Sequence, residues 1–109
     1  MTFSDLGLSK ELLTATERAN YSSPYPIQVQ AIPALIKGND LLGIAPTGSG
    51  KTAAYILHIL QFLQKNTSTR HRDITVLVLV PNRELTAKVA ELADIFMRFL
   101  TTNLKHKAV

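Results

Sequence analysis

Eight consecutive residues, Ala45-Pro46-Thr47-Gly48-Ser49-Gly50-Lys51-Thr52, have the types and spacing of a phosphate-binding loop of the Walker A pattern. Such a loop turns its backbone N–H groups inward as an anion nest. The helix N-terminus behind it adds about half a positive charge at the phosphates. Gly48 and Gly50 supply backbone angles and a close approach that a Cβ would block. Lys51 would reach the β- and γ-phosphates of a nucleotide, and the Thr52 hydroxyl would ligate its Mg²⁺, so these two are the candidate catalytic residues. The competing reading is a Gly/Ser connection that joins a strand to a helix and leaves Lys51 in solvent.

The elements on either side favour the nucleotide site. A short apolar run at 41–45 leads into the loop like a buried strand, and a helix is expected from 51 to about 64, with Ala53, Ile56, Leu57, Leu60 and Leu63 facing inward. Residues 66–73 form a polar loop. The β-branched run 74–80 is apolar almost throughout, the pattern of a strand buried on both faces, and Pro81 stops it. A long helix follows over about 83–100, with Leu85, Val89, Leu92, Phe96 and Leu100 on one stripe that reads as a core face. Upstream, Ser9 can cap a helix that runs to about Ala19, and Pro26 suits the first turn of a second helix. Pro33 is expected to break or restart that helix before Gly38 ends it. The order βαβα predicts an α/β fold with a parallel sheet, and phosphates then belong at the carboxyl end of the first strand, where the loop lies.

At 109 residues the chain is at most one domain, and a 46% hydrophobic and 18% charged composition provides ample core. No run of eighteen or more apolar residues is present, so no membrane span is expected. The absence of cysteine excludes disulfides and Cys-ligated metal and fits a cytoplasmic protein. The formal charge of +4 leans toward polyanionic partners. Part of it sits in Arg70-His71-Arg72 and Lys105-His106-Lys107, which read as solvated faces. His58, His71 and His106 have no metal-ligand spacing, and His58 reads as a satisfied or peripheral histidine within an apolar helix.

Two further blocks narrow the reading. Phe3 is followed seventeen positions later by Asn20-Tyr21-Ser22-Ser23-Pro24-Tyr25-Pro26-Ile27-Gln28, and Pro81-Asn82-Arg83-Glu84-Leu85 stands directly after the second strand. With the phosphate loop between them, these blocks resemble the Q motif, motif I and motif Ia of the DEAD-box ATP-dependent RNA helicases. The short N-terminus looks like that of the compact bacterial helicases of the RhlE type. The resemblance implies that residues 1–29 form a Q-motif region and that 1–109 is the N-terminal portion of a P-loop, RecA-like ATP-binding domain.

It also implies roles for single residues. Gln28 looks like the adenine reader: its amide can accept from N6–H₂ and donate to N7, a geometry that guanine reverses. Phe3 and Tyr21 match the aromatic positions around the adenine. The plainer alternatives are an exposed helix-start glutamine and an ordinary core aromatic. Pro81, Asn82, Arg83 and Glu84 match the loop that grips the RNA backbone, which implies salt-sensitive, sequence-tolerant binding. Arg83 as a solvated arginine would sit unfavourably at a helix start, whereas Glu84 suits that position.

Several positions depart from the family pattern: Asn20 stands for glycine, Tyr25 and Asn82 for threonine, Thr86 for alanine, Lys88 for glutamine and His58 for proline. Motif I is intact, so the departures weigh more on RNA contact than on ATP. Hydrolysis in this class needs a Walker B aspartate and an adjacent glutamate after an apolar strand, and no such pair occurs here. The expectation is therefore a truncated domain that lacks the later motifs and the second, C-terminal helicase half. In the family's fold the phosphate-loop strand is flanked by strands that come later in sequence, so unpaired edges and an exposed apolar face are expected. A non-catalytic nucleotide-binding remnant and a different P-loop kinase or GTPase are the alternatives.

Overall fold

The computed structural model describes residues 1–65, 75–100 and 107. Within them lie a 3₁₀ turn, Phe3–Leu6, and four α-helices: α1 (Lys10–Arg18), α2 (Pro26–Ile36), α3 (Lys51–Lys65) and α4 (Arg83–Met97). Each helix start follows from local chemistry. Ser9 Oγ accepts the Leu12 N–H at 3.3 Å and caps α1. Asn82 Oδ1 accepts the Leu85 N–H at 2.9 Å and does the same for α4. Pro26, which has no N–H to lose, opens α2.

Helix α3 lies between α2 and α4, α1 packs on α4, and the 3₁₀ turn rests on α1 and α2. Leu12, Ile32, Leu57 and Phe96 form the centre of the core and are fully buried. Alternate inward positions of α3 supply Ala53, Ile56, Leu57 and Leu60, as the 3.6-residue period requires.

Two expectations are corrected. Pro33 does not break α2: the helix passes through it, and the Lys37 N–H still reaches the Pro33 carbonyl at 3.2 Å. Buried Ile32 and the partly buried Leu35 and Ile36, on either side of the proline, pack against the core and hold the turn. The parallel sheet is also not formed. Among the described residues there is no strand, and the segments expected as strands lie open to solvent, with Leu42 and Ile44 at 87% and 86% exposure and Leu77 and Leu79 at 74% and 84%. A strand exists only when its N–H and C=O groups find a neighbouring ladder, and these two apolar segments do not pair with one another.

The expected loop at 66–73, Ile74, the cluster Arg70-His71-Arg72, and Lys105 and His106 of the terminal cluster lie outside the described residues. Among the described residues no helix is long and apolar enough to cross a membrane.

Candidate nucleotide-binding site

The phosphate loop ends on the first turn of α3. Gly48 and Gly50 have φ of +84° and +85°, the left-handed region, and Ser49 N–H bonds back to the Pro46 carbonyl at 3.2 Å. Gly50 is also crowded: a Cβ there would stand 2.5 Å from Gln28 Nε2 and 2.6 Å from Tyr25 Cδ2. Only a hydrogen fits between the loop and the start of α2.

Gln28 occupies that space. It is 1% exposed, and its amide spans two elements. Oε1 accepts the Tyr25 N–H at 3.0 Å, an orphan donor at the start of α2, while Nε2 donates to the Gly50 carbonyl at 3.1 Å. A primary amide has two N–H groups and two lone pairs on its oxygen. One of each is therefore still available on Gln28. Lys51 is exposed at the first position of α3, and Thr52 beside it is half-buried. The Ser49 hydroxyl oxygen is buried with no hydrogen-bond partner, an orphaned polar atom within the loop.

These features fit a phosphate group: left-handed glycines, a helix N-terminus, an unpaired hydroxyl and an exposed ammonium. For a divalent cation the described residues hold no cluster of three or more His, Asp or Glu side chains. Thr52 is the protein oxygen on offer, which suits Mg²⁺, an ion usually carried by substrate phosphates and water with few protein ligands.

Phe3 stacks on Tyr21 with ring centroids 6.4 Å apart, and Tyr21 meets Phe96 of α4 edge-on at 5.5 Å. Phe3 is buried and belongs to the core, whereas Tyr21 is half-buried. A cleft of about 400 Å³ opens beside them, lined by Phe3, Tyr21, Thr16, Glu17, Asn20 and Ser22 among others. Burial raises the Tyr21 phenol pKa above its usual value, with the Tyr25 phenol adding to the shift. The phenol is therefore a neutral O–H donor at neutral pH.

A family model for the DEAD/DEAH box helicases matches residues 25–109. The chain belongs to this family. It is 45% identical over 102 residues to the ATP-dependent RNA helicase SrmB of Haemophilus influenzae, a match covering 94% of this chain and 23% of SrmB. Its backbone superposes with a TM-score of 0.85 on the RNA helicase Prp28 from Chaetomium thermophilum bound to ADP, at 36% identity over 92% of this chain and 24% of that one. Dbp5 L327V of S. cerevisiae, bound to RNA and ADP BeF3, gives a TM-score of 0.79 at 27% identity, covering 92% of this chain and 25% of that one. The chain thus spans about a quarter of these relatives or less.

Several departures of this DEAD/DEAH box helicase chain from the family pattern have a local explanation. Asn20 has φ of +65°, and asparagine is the non-glycine residue that best tolerates this region. Asn82 serves as the N-cap of α4, a role threonine also fills, and Thr86 Oγ donates to the Asn82 carbonyl at 3.1 Å. Tyr25 lays its ring against Gly50. Pro81, Asn82, Arg83 and Glu84 are all exposed at the start of α4, the Asn82 side chain already engaged by its cap.

Sequence reasoning missed two residues. Gln61, 4% exposed, donates from Nε2 to the Gly7 carbonyl at 2.7 Å and accepts the Ser9 N–H at Oε1, also at 2.7 Å. Gln64 accepts from Ser9 Oγ at 3.1 Å and donates to Glu11 at 2.9 Å. The available signal was an amide four residues after Leu57, on the inward face of an apolar helix.

Proposed function

We propose that this chain carries the ATP-binding elements of an ATP-dependent RNA helicase. ATP enters with its phosphates on residues 45–52 and its adenine against the Q-motif residues Phe3, Tyr21 and Gln28. Support comes chiefly from the hydrogen bond between Gln28 and Gly50, which makes the base-side element and the phosphate loop one unit. The remaining N–H and lone pair of Gln28 are the donor and acceptor that N7 and N6–H₂ of adenine require, and a guanine would face one of them with a like group. Lys51 neutralises the terminal phosphates, and Thr52 holds the Mg²⁺ that travels with them. Bound Mg²⁺ would screen the phosphate charge.

In the same reading the exposed loop from Pro81 to Glu84 meets RNA through its backbone, and the apolar segments 41–45 and 75–80 become central strands of a parallel RecA-like sheet when neighbouring strands are supplied. That would bury Leu42, Ile44, Leu77 and Leu79, which fits their present exposure. With no Asp-Glu pair following an apolar run, the 109 residues by themselves bind ATP without hydrolysing it. In this reading the protein is cytoplasmic.

The deciding experiment is a titration of the chain with a fluorescent ADP, competed by ATP and then by GTP. Displacement by ATP with little or none by GTP is expected. Equal displacement by both would remove Gln28 as the base reader, and no binding would remove the nucleotide site.

A further inference from the structure

Helix α3 connects the two ends of the candidate site. Its first residue is Lys51, in the phosphate loop, and ten residues further on stands Gln61, about 15 Å along the axis at 1.5 Å per residue. There the helix meets the junction between the 3₁₀ turn and α1. Gln61 holds the junction on both sides, taking the Ser9 N–H and giving an N–H to the Gly7 carbonyl. Gln64, three residues later on nearly the same face, accepts a hydrogen bond from the Ser9 hydroxyl and donates to Glu11. Ser9 is thus fixed at N–H and at Oγ, while its Oγ also caps Leu12.

This clamp is costly to build and specific in what it fixes. Gln61 is a polar side chain inside an apolar core, tolerable because both of its amide groups are paired. An apolar residue there would leave the Ser9 N–H and the Gly7 carbonyl without that partner. The turn it anchors carries Phe3, which stacks on Tyr21. Gly7, with φ of +93°, is the pivot at which that turn enters α1.

We infer that Gln61, assisted by Gln64, is a positioning residue that sets the distance between the phosphate loop and the aromatic pair Phe3–Tyr21, so that base and phosphates of one nucleotide are held together. It touches neither of them. The inference rests on the reading of that pair as the adenine side, and it predicts an effect confined to the base.

The test uses Gln61→Met, close in volume and unable to make either hydrogen bond, with two ligands: ATP and inorganic tripolyphosphate, which has the phosphates without the base. ATP affinity should fall about tenfold, and tripolyphosphate affinity should stay within about twofold. Gln64→Met should give the same selectivity with a smaller loss, and it carries the test if Gln61→Met does not fold. Parallel loss of both ligands, or loss of neither, overturns the inference. Amide exchange in the ligand-free chain judges the clamp independently: Ser9 should exchange faster in Gln61→Met while Leu57 and Leu60 stay protected. Unchanged exchange at Ser9 overturns it as well. If the unmutated chain binds ATP no better than tripolyphosphate, it is the adenine reading that fails, and the exchange result still stands or falls by itself.

Discussion

Gln28 and Gly50, 22 residues apart, are joined by a hydrogen bond from Nε2 to the carbonyl oxygen at 3.1 Å, and the same oxygen accepts the Ala54 N–H at 3.2 Å. The carbonyl that starts the hydrogen-bond ladder of α3 is therefore also the one that fastens α2 to the phosphate loop. The second use needs α2 and the loop in near contact, and it is the missing side chain at Gly50 that permits this.

A methyl group separates the two loop glycines experimentally. Gly48→Ala adds a Cβ with nothing within 4 Å, so only the left-handed backbone at φ +84° is penalised, by about 1–2 kcal/mol. Gly50→Ala adds a similar strain and also drives its Cβ to 2.5 Å from Gln28 Nε2. Its loss of stability in urea denaturation should exceed that of Gly48→Ala by about 1–3 kcal/mol. Equal losses would mean that Gln28 and Tyr25 move aside freely.

Gln28→Ala should narrow the discrimination between ATP and GTP by about 1–3 kcal/mol if two hydrogen bonds to adenine are made. It also frees the Tyr25 N–H, so some loss of stability is expected, on the order of 1 kcal/mol. Competition binding on the unmutated and variant chains checks the first effect, and thermal unfolding the second. A variant that loses stability but keeps its base preference would leave Gln28 a purely structural link.

Arg83 offers a test in which two readouts move in opposite directions. Its positive charge at the first position of α4 opposes the helix dipole, so Arg83→Ala should leave the fold unchanged or raise its stability by about 0.3–1 kcal/mol. RNA affinity should fall at the same time, with the slope of log K against log salt reduced by about one and no change in sequence preference. Undiminished RNA binding would take Arg83 out of the interface.

The elements easiest to read in the sequence were those fixed by neighbours along the chain. Ser9 and Asn82 stand three residues before the N–H groups they cap, and the loop glycines need their backbone angles whatever surrounds them. What could not be read depended on distant partners. Gln61 meets Ser9 across 52 positions, and nothing near Gln61 announces that. The run 75–80 has the composition of a buried strand, but composition does not say which strand lies beside it, and among the described residues none does. Pro33 follows the same rule: its intrinsic cost of about 3 kcal/mol is local, while the packing of Ile32, Leu35 and Ile36 that outweighs it is not.

His58 makes stability depend on pH. It lines an open cleft together with Lys37, Asp40 and Phe62, and burial lowers its pKa below 6.5. The unfolded chain therefore binds more protons than the folded one between the folded pKa and 6.5. The stability associated with neutral His58 is complete above 6.5 and is lost as pH falls through the folded value. His58→Gln should flatten this part of the stability profile, seen by comparing urea midpoints at about pH 7.5 and about pH 5.5. A variant with the same pH dependence as the unmutated chain would place the titration elsewhere.

The exposed segments make self-association the expected behaviour of the isolated chain. Leu42 and Ile44 alternate on one segment, Leu77 and Leu79 on the other, each at least 74% exposed. Full burial of such a side chain contributes about 1.5–3 kcal/mol, so four supply roughly 6–12 kcal/mol, of the same order as the cost of association. With gain and cost of the same order, only a small surplus is left, so the association is weak and concentration-dependent rather than a permanent dimer. In sedimentation velocity the average mass should rise above 12.0 kDa as concentration is raised. The double variant Leu42→Lys/Leu79→Lys should remain monomeric with its helical signal intact, because neither side chain belongs to the core among the described residues. The sign should reverse in a longer chain that supplies the neighbouring strands, where the same lysines would be buried in the sheet and would destabilise it by several kcal/mol. An unmutated chain that stays monomeric at high concentration would show that these segments are covered in solution, and the strand reading of 41–45 and 75–80 would lose its main support.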